Sequence, residues 1–165
     1  MKIYDISQEV FSCAVYPGDP KPEKQHPCST AAGDLYNLTT FSMCAHNGTH
    51  IDAPFHFLED GKTVDQMDLS IFVGDCFVAR HEGDVSAENA KDILKKAADA
   101  GRILIAGKVT VTAEAAEVFA NSGIKLIGNE GQTIGPENAP MQVHLILLGR
   151  GIALLEGIIL DHVPE

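Results

Sequence analysis

The sequence contains few basic and few aromatic residues. Lysine and arginine number 12 against 23 acidic residues, so the formal net charge is −11. Because such a chain repels phosphate backbones, we expect no nucleic-acid partner. Tryptophan is absent and aromatic residues make up only 6% of the chain, but the hydrophobic share of 45% is ordinary for a globular domain. At 165 residues the chain is long enough for one core, and we expect a single domain over residues 1–165.

The sequence also lacks paired cysteines. Its four cysteines form no Cys-x-x-Cys motif, and isolated thiols of this kind are typical of a reduced, cytoplasmic protein rather than a disulfide scaffold. Cys44 lies close to a group of histidines. A free cysteine is most often a small buried hydrophobe, so we interpret it in that way rather than as a metal ligand.

No hydrophobic run is long enough to predict a membrane segment. The N-terminal stretch "MKIYDISQEV" has no apolar core of signal-peptide length. The most apolar tract, "VHLILLGRGIALLEGIIL", contains His144, Arg150 and Glu156. Charged and polar residues at these positions argue against a bilayer span.

The order of predicted elements indicates an α/β or α+β fold with a partly parallel sheet. Proline-rich residues 15–27 predict a loop. Helical spacing predicts a helix that begins after Ser86 and ends at Gly101, and a second that begins after Thr112 and ends near Gly123. Strands are predicted within the following ranges: 2–7, 35–46, 72–81, 102–109 and 124–128.

The segment "HNGTHIDAPFHF" concentrates groups that bind metals. It places His46, His50, Asp52 and His56 at positions of the same parity, so they share one face of any extended backbone. Pro54 and a nearby glycine argue against a helix, and we predict a strand end followed by a turn. We expect Gly48 to let the backbone come close to the group that these side chains bind.

Imidazole and carboxylate groups are the usual ligands of zinc and related divalent metals. Asp52, with histidines on both sides, is placed to bridge two ions through its two oxygens. The alternative is a hydrogen-bonded polar loop. The density of ligand-type residues favours the metal site.

Two polar residues interrupt the apolar tract near the C-terminus. A buried Glu156 costs several kcal/mol unless it is paired or binds a metal. It could pair with Arg150, and His144 could be a histidine buried against a backbone partner. If Glu156 and His144 instead contacted the histidine-rich segment, both buried polar groups would gain interaction partners.

These residues carry a family resemblance. "HNGTHIDAPFHF" resembles the His-x-Gly-Thr-His-x-Asp-x-Pro-x-His-Phe signature of the bacterial kynurenine formamidase and cyclase family of metal-dependent hydrolases. "YDIS", "VYPGDP", "GIKLIGNEGQTIGP" and "VHLILLGRGIALLEGIIL" resemble further segments of that family. The resemblance covers nearly the whole chain.

The resemblance implies a swivelling β/β/α fold, a homodimer or homotetramer, and two divalent ions, zinc or manganese. It implies hydrolysis of N-formylkynurenine to kynurenine and formate, a step of tryptophan catabolism, with a small-molecule amide as the substrate. His56 would be the general acid and base, with a further metal ligand or a structural imidazole as the alternatives. Each ion would have three ligands, with Asp52 shared between the two sets: His46, His50 and Asp52 for one, and Asp52, His144 and Glu156 for the other. Glu156 could also contact both ions.

Several positions depart from the family pattern. Tyr16 stands where the kynurenine enzymes have a tryptophan that lines the substrate pocket, and it could bind an aryl ring or anchor its own loop. The connection before Thr112 is short where relatives insert an aromatic-rich loop. Glu130, Thr133 and Gly135 replace an aspartate, a serine and a second aspartate. The sequence stops soon after Glu156, and we expect this to expose sheet edge or core surface.

Two other functions remain open at this stage. A relative that opens a cyclic amide, as isatin hydrolases do, would use the same metals. A degenerate member could bind metal without catalysis, since a fold does not guarantee activity.

Overall fold

A five-stranded sheet forms the centre of the computed structural model, which describes residues 2–164. The strand order is β3-β9-β8-β6-β4, and the bounds are His50–Asp52 (β3), Ala153–Glu156 (β9), Leu126–Asn129 (β8), Arg102–Ala106 (β6) and Phe77–Arg80 (β4). β3 runs antiparallel to β9, and the other neighbours are parallel. The prediction of a partly parallel α/β sheet is confirmed.

Two small sheets accompany the central one. β1 (Glu23–Cys28) and β2 (Leu38–Ser42) form an antiparallel hairpin, and β5 (Gly83–Val85) pairs in parallel with β7 (Val109–Val111). The hairpin is exposed along almost its whole length. It therefore adds little to the core.

Both predicted helix starts are confirmed. Ser86 caps α1 (Ala87–Ala97) by accepting a hydrogen bond from the Asn89 amide, and Thr112 caps α2 (Ala113–Ala120) in the same way. α1 ends earlier than the sequence suggests, because Ala98 has a φ of 50° and cannot continue the helix.

The core occupies both faces of the central sheet. On β6, Ile103 and Ile105 pack under the helices, whereas Leu104 and Ala106 point into a second cluster on the opposite face. This alternation explains why every residue of β6 is buried. The sheet is thereby held rigid on both sides, and the ends of its strands can position side chains accurately.

Two local predictions are wrong. Residues 2–7 form no strand, although the Ile6 carbonyl accepts a hydrogen bond from the Ile159 amide and so anchors the segment to the sheet region. The predicted loop over residues 15–27 gives way to β1 from Glu23. The strand tolerates Pro27 because the β1–β2 register shifts between Gln25 and Cys28, where a bulge removes the need for a ladder donor.

The apolar tract near the C-terminus divides into a helix and a strand. α3 (Met141–Leu148) comes first, and β9 follows after a short turn. No helix among residues 2–164 is long and apolar enough to cross a bilayer. The pairing of Glu156 with Arg150 that the sequence left open does not occur among the described residues, since Glu156 faces histidines instead.

A buried arginine holds the segment before β4. Arg102 is only 8% exposed, and its guanidinium donates to the carbonyls of Ser70, Ile71, Val73 and Asp75. The Nε–Ile71 bond is 2.7 Å long. One side chain thus satisfies four carbonyl groups of a segment that contains almost no regular structure.

We expect Arg102→Met to lower the free energy of unfolding by about 3 kcal/mol, since a hydrogen bond to a charged group contributes roughly 1.5–3 kcal/mol and water can replace part of the loss at the four carbonyls. Urea denaturation followed by circular dichroism measures the change. Lys96→Met, on the exposed side of α1, is the control and should shift stability by less than about 0.5 kcal/mol. Equal stability of the two variants would contradict this role for Arg102.

Candidate metal centre

The histidine-rich segment and the C-terminal tract meet where β3 pairs with β9. The register places His50 directly opposite Glu156. Asp52 lies two residues after His50 on β3, and the side chains of His50 and Asp52 point to the same buried face. α3 supplies His144 from the side. Residues that are 88 to 110 positions apart in sequence therefore share one site.

Asp52 is the centre of this group. Its Oδ1 lies 2.9 Å from His46 Nδ1 and 3.6 Å from His50 Nε2. Its Oδ2 lies 3.4 Å from His144 Nε2 and 3.9 Å from His56 Nε2. Each carboxylate oxygen thus faces a different pair of imidazoles.

Glu156 closes the group from the opposite strand. Its Oε2 lies 3.5 Å from His50 Nε2, and its Oε1 lies 3.3 Å from His144 Nε2. The side chain is almost fully buried, and Oε1 also accepts a hydrogen bond of 2.8 Å from the Ile134 amide. This amide fixes the orientation of the carboxylate.

Backbone carbonyls orient the two buried histidines. His50 Nδ1 donates to Gly48 O at 2.9 Å, and His144 Nδ1 donates to Pro140 O at 2.8 Å. Both rings therefore present an unprotonated Nε2 to the carboxylates when they are neutral, which is the usual arrangement of metal-binding histidines. Gly48 has a φ of 61°, and a Cβ there would lie 2.6 Å from Cys13 Cβ. Gly48 therefore packs closely against Cys13, while its carbonyl faces the His50 ring.

His56 and Phe57 border the group on the solvent side. His56 follows β3 in a 3₁₀ turn, and 35% of its side chain is exposed. Its ring lies 4.1 Å from that of His46, and the Phe57 ring packs against both His56 and His144. His56 is the most accessible imidazole of the group.

The carboxylates shift the pKa values of the imidazoles. Burial alone would lower the pKa of His144, but its contacts with Asp52 and Glu156 raise it to about 10. The same balance, with Glu156 the main partner, raises the pKa of His50 above its usual value. Burial raises the pKa of Asp52, but its contacts with His144 and His46 outweigh this and hold it well below the ordinary range. Burial is also the main reason for a lowered pKa at His56. The site therefore favours positive charge between its two carboxylates.

The residues fit metal ions. Two overlapping sets, His46–His50–Asp52 and Asp52–His144–Glu156, each bring their ligand atoms within 4.8 Å of one another. Asp52 Oδ1 is buried, and although His46 Nδ1 lies 2.9 Å away, its ring is not oriented to donate a hydrogen bond to this oxygen. A buried carboxylate oxygen without a donor is costly, and a cation would satisfy it. Imidazole and carboxylate ligands suit zinc and related divalent metals.

A cavity of about 250 Å³ opens onto this group. Tyr16 lies in its wall, and its hydroxyl donates to Glu137 O at 2.9 Å. Tyr16 thus lines the cavity and is anchored to the loop that contains Glu137. The remaining lining residues include Asp19, Phe57, Gln132, Thr133 and Pro140.

A family model described as Putative cyclase matches residues 4–136. The chain belongs to the cyclase family. Kynurenine formamidase from Erythrobacter litoralis is 32% identical over 178 residues, which cover 99% of this chain and 82% of the relative. Kynurenine formamidase from Bacillus cytotoxicus is 29% identical and covers 98% of this chain and 84% of the relative. The family resemblance seen in the sequence is confirmed.

Solved structures confirm the cyclase-like fold. A potential metal-dependent hydrolase with cyclase activity superposes with a TM-score of 0.78 at 24% identity, covering 99% of this chain and 85% of that one. Isatin hydrolase A from Labrenzia aggregata superposes with a TM-score of 0.83 at 19% identity, covering 99% and 83%. These neighbours show the fold, and the donor geometry of the site supports a divalent metal.

The structure brings together every residue that the sequence singled out as a ligand or acid–base group. Cys44 stays outside the two ligand sets, with its Sγ 3.4 Å from Asp19 Oδ2. Sequence reasoning missed Phe57 and the Ile134 amide. Phe57 directly follows His56 in the motif, and this position could have indicated its role. A backbone donor to Glu156 leaves no signal in the sequence.

Proposed function

We propose that this cyclase-family chain is a metal-dependent amidohydrolase, an arylformamidase that converts N-formylkynurenine and water to kynurenine and formate. The observation that carries the proposal is the bridging position of Asp52, whose two oxygens face two different sets of ligand atoms. The relatives named kynurenine formamidase, at about 30% identity over nearly the whole chain, support the substrate.

The two ligand sets would hold two divalent ions, with zinc favoured by the imidazole-rich donors and manganese as the alternative. His46, His50 and Asp52 would bind one ion, and Asp52, His144 and Glu156 the other. Bound ions would lower the pKa of water and polarise the amide carbonyl.

His56 is the residue placed to move protons. Its Nε2 points toward Asp52 while its ring faces the cavity, where a substrate and a water molecule would bind. His56 Nε2 takes a proton from the attacking water and delivers it to the leaving nitrogen. The carbonyl carbon gains the oxygen, the C–N bond breaks, and the amine leaves neutral.

The aromatic wall fits an aryl amide. Tyr16 and Phe57 both line the cavity, and either ring can pack against an aryl group. The Tyr16 hydroxyl is held by Glu137 O, so its ring keeps one orientation. Preorganised walls of this kind position the amide carbonyl near the ligand group.

Metal content tests the proposal directly. We expect protein purified without chelator to contain about two ions per chain, and His144→Ala to contain one or fewer, because only one ligand set includes His144. Elemental analysis after gel filtration measures both. Absence of metal in the wild type, even after reloading with zinc or manganese, would contradict the proposal.

A substrate panel distinguishes the arylformamidase hypothesis from the cyclic-amide hydrolase hypothesis. Aryl formamides are expected to be hydrolysed, and small aryl lactams to be opened slowly or not at all. Clear lactam opening without formamide hydrolysis would replace the arylformamidase assignment with a cyclic-amide hydrolase. Bound metal without either activity would support the hypothesis that the chain is a degenerate family member that binds metal without catalysis.

We also propose a cytoplasmic homodimer or homotetramer. The cytoplasmic location rests on the four free cysteines. Oligomerisation is supported by the β1–β2 hairpin, which exposes large apolar side chains on and beside its strands, namely Leu35, Tyr36, Leu38, Phe41 and Met43. Light scattering coupled to gel filtration is expected to give a mass of two or four chains, and a monomeric mass would contradict this proposal.

A further inference from the structure

The N-terminal segment lies against the ends of the two strands that carry metal ligands, and we call residues 6–14 the strap. The strap forms no helix or strand of its own. The Ile6 carbonyl accepts a hydrogen bond from the Ile159 amide, and the Ala14 carbonyl accepts one from the Gly48 amide. Ile159 follows β9, and Gly48 precedes β3. The strap is therefore attached to the chain beside both strands.

Gln8 is the residue of the strap that joins the two strand ends. Its backbone amide donates to Thr49 Oγ1 at 2.9 Å, and its side-chain Nε2 donates to Gly157 O at 2.7 Å. Thr49 Oγ1 donates in turn to Gly157 O at 2.6 Å. The side-chain Oε1 of Gln8 accepts a hydrogen bond of 2.7 Å from the Ala14 amide. Both polar atoms of the Gln8 side chain are thus occupied, and its orientation is fixed.

These hydrogen bonds lie where the strand pairing stops. The β3–β9 ladder has three residue pairs, and His50 with Glu156 is the pair at its end. Thr49 precedes His50 and Gly157 follows Glu156, so the ladder holds neither of them. The ends of an element are where a chain opens most easily. Gln8 and Thr49 hold the two backbones together one residue beyond the ladder.

The backbone of Gly157 lies against the carbonyl group that orients His50. Gly157 has a φ of 67°, and a Cβ there would collide with Gly48 O. Gly48 O accepts the hydrogen bond from His50 Nδ1 at 2.9 Å. A displacement of Gly157 would therefore move Glu156 through the chain and His50 through the Gly48 carbonyl.

We propose that Gln8 is a positioning residue of the metal centre, which holds His50 and Glu156 at the separation that both ligand sets require. This inference rests on the metal centre of the proposed function. His50 belongs to one ligand set and Glu156 to the other. Loss of the Gln8 side-chain bonds should thus weaken both ion sites, whereas His144→Ala removes a ligand from only one.

The first test removes the polar atoms of Gln8. Gln8→Met keeps the length of the side chain, and we expect the zinc affinity of both sites to fall about 10–100-fold, as for other groups that orient metal ligands. Competition with a chromophoric chelator measures the affinity. The visible absorption spectrum of the cobalt-loaded protein should also change, because it reports the coordination geometry. Unchanged zinc affinity and an unchanged cobalt spectrum would overturn the inference.

Gln25→Met is the matched control for this substitution. Gln25 is exposed on β1 and outside the metal-centre cavity, so zinc affinity and the cobalt spectrum should match the wild type.

A second control separates positioning from general stability. Arg102 lies at the start of β6, and Glu156 lies at the end of β9, which runs in the same direction. The two residues are thus at opposite ends of the sheet. We expect Arg102→Met, measured at a temperature where it is folded, to keep the wild-type zinc affinity although it is less stable. An equal loss of zinc affinity in Arg102→Met and Gln8→Met would make Gln8 a merely structural residue.

Thr49 gives an independent pair of variants if Gln8→Met does not fold. Thr49→Val removes the hydroxyl group that bonds to Gln8 and Gly157, and Thr49→Ser keeps it. We expect Thr49→Val to lose zinc affinity and Thr49→Ser to retain it. Equal affinities of these two variants, or the opposite order, would overturn the inference.

The same measurements distinguish this inference from the proposed amidohydrolase. Weaker zinc binding by Gln8→Met, with no hydrolysis of any formamide by the zinc-loaded wild type, would contradict the amidohydrolase and keep the role of Gln8. Formamide hydrolysis by the wild type, with unchanged zinc affinity in Gln8→Met, would overturn the role of Gln8 alone. A wild type that binds no metal would overturn both.

Discussion

Asp52→Asn is expected to reduce bound metal from about two ions per chain to less than one and to lower kcat/KM by at least about 10³-fold, since bound ions are worth several kcal/mol to the transition state. The reason is geometric. Asp52 is the only residue common to both ligand sets among the described residues, and an amide nitrogen in place of one oxygen cannot bind a cation. Elemental analysis and a formamide assay measure the two effects.

Asp92→Asn is the matched control for this substitution. Asp92 is exposed on α1, far along the chain from the ligand sets, so metal content and turnover should match the wild type. Circular dichroism on both variants confirms that the fold is retained. If Asp52→Asn kept two ions, Asp52 would not bridge them and the ligand assignment would be wrong.

His56→Ala is expected to keep its metal and lose turnover. His56 is the accessible imidazole of the site and belongs to neither ligand set, so its removal should leave metal content at the wild-type value. General acid–base catalysis contributes about 10²–10⁴-fold, and kcat should fall by that factor. Steady-state kinetics with an aryl formamide, combined with elemental analysis, separates the two quantities.

His26→Ala serves as the control for His56→Ala, because His26 lies on the exposed β1 strand and outside the cavity. It should change neither quantity. Loss of metal from His56→Ala would make His56 a ligand instead of an acid–base group. Normal turnover would show that another group moves the proton.

The sequence by itself determined the local part of the site. His46, His50, Asp52 and His56 fall within one short segment, and two-residue periodicity is enough to place the β3 pair on one face. The starts of α1 and α2 were equally predictable, because Ser86 and Thr112 act through bonds to amides three residues away. Interactions of this range depend on neighbouring residues alone.

Predictions from local sequence patterns failed where contacts with other parts of the fold determine the structure. β1 forms across a proline-rich stretch because β2 supplies a partner and a bulge removes the conflict at Pro27. The apolar run over residues 141–148 has no clear period, so a helix and a strand fit it equally well from sequence. Packing against α2 and β9 selects the helix.

Only the tertiary structure decided that Glu156 and His144 join the histidine-rich segment. The antiparallel pairing of β3 with β9 sets His50 against Glu156, and α3 then brings in His144. From the residues alone, Glu156 could equally have paired with Arg150, and His144 could have been buried against a backbone group. The family resemblance gave the only further indication. Contacts between residues so far apart in sequence depend on the packing of the whole sheet, because closing such a long loop is repaid only when the entire core forms.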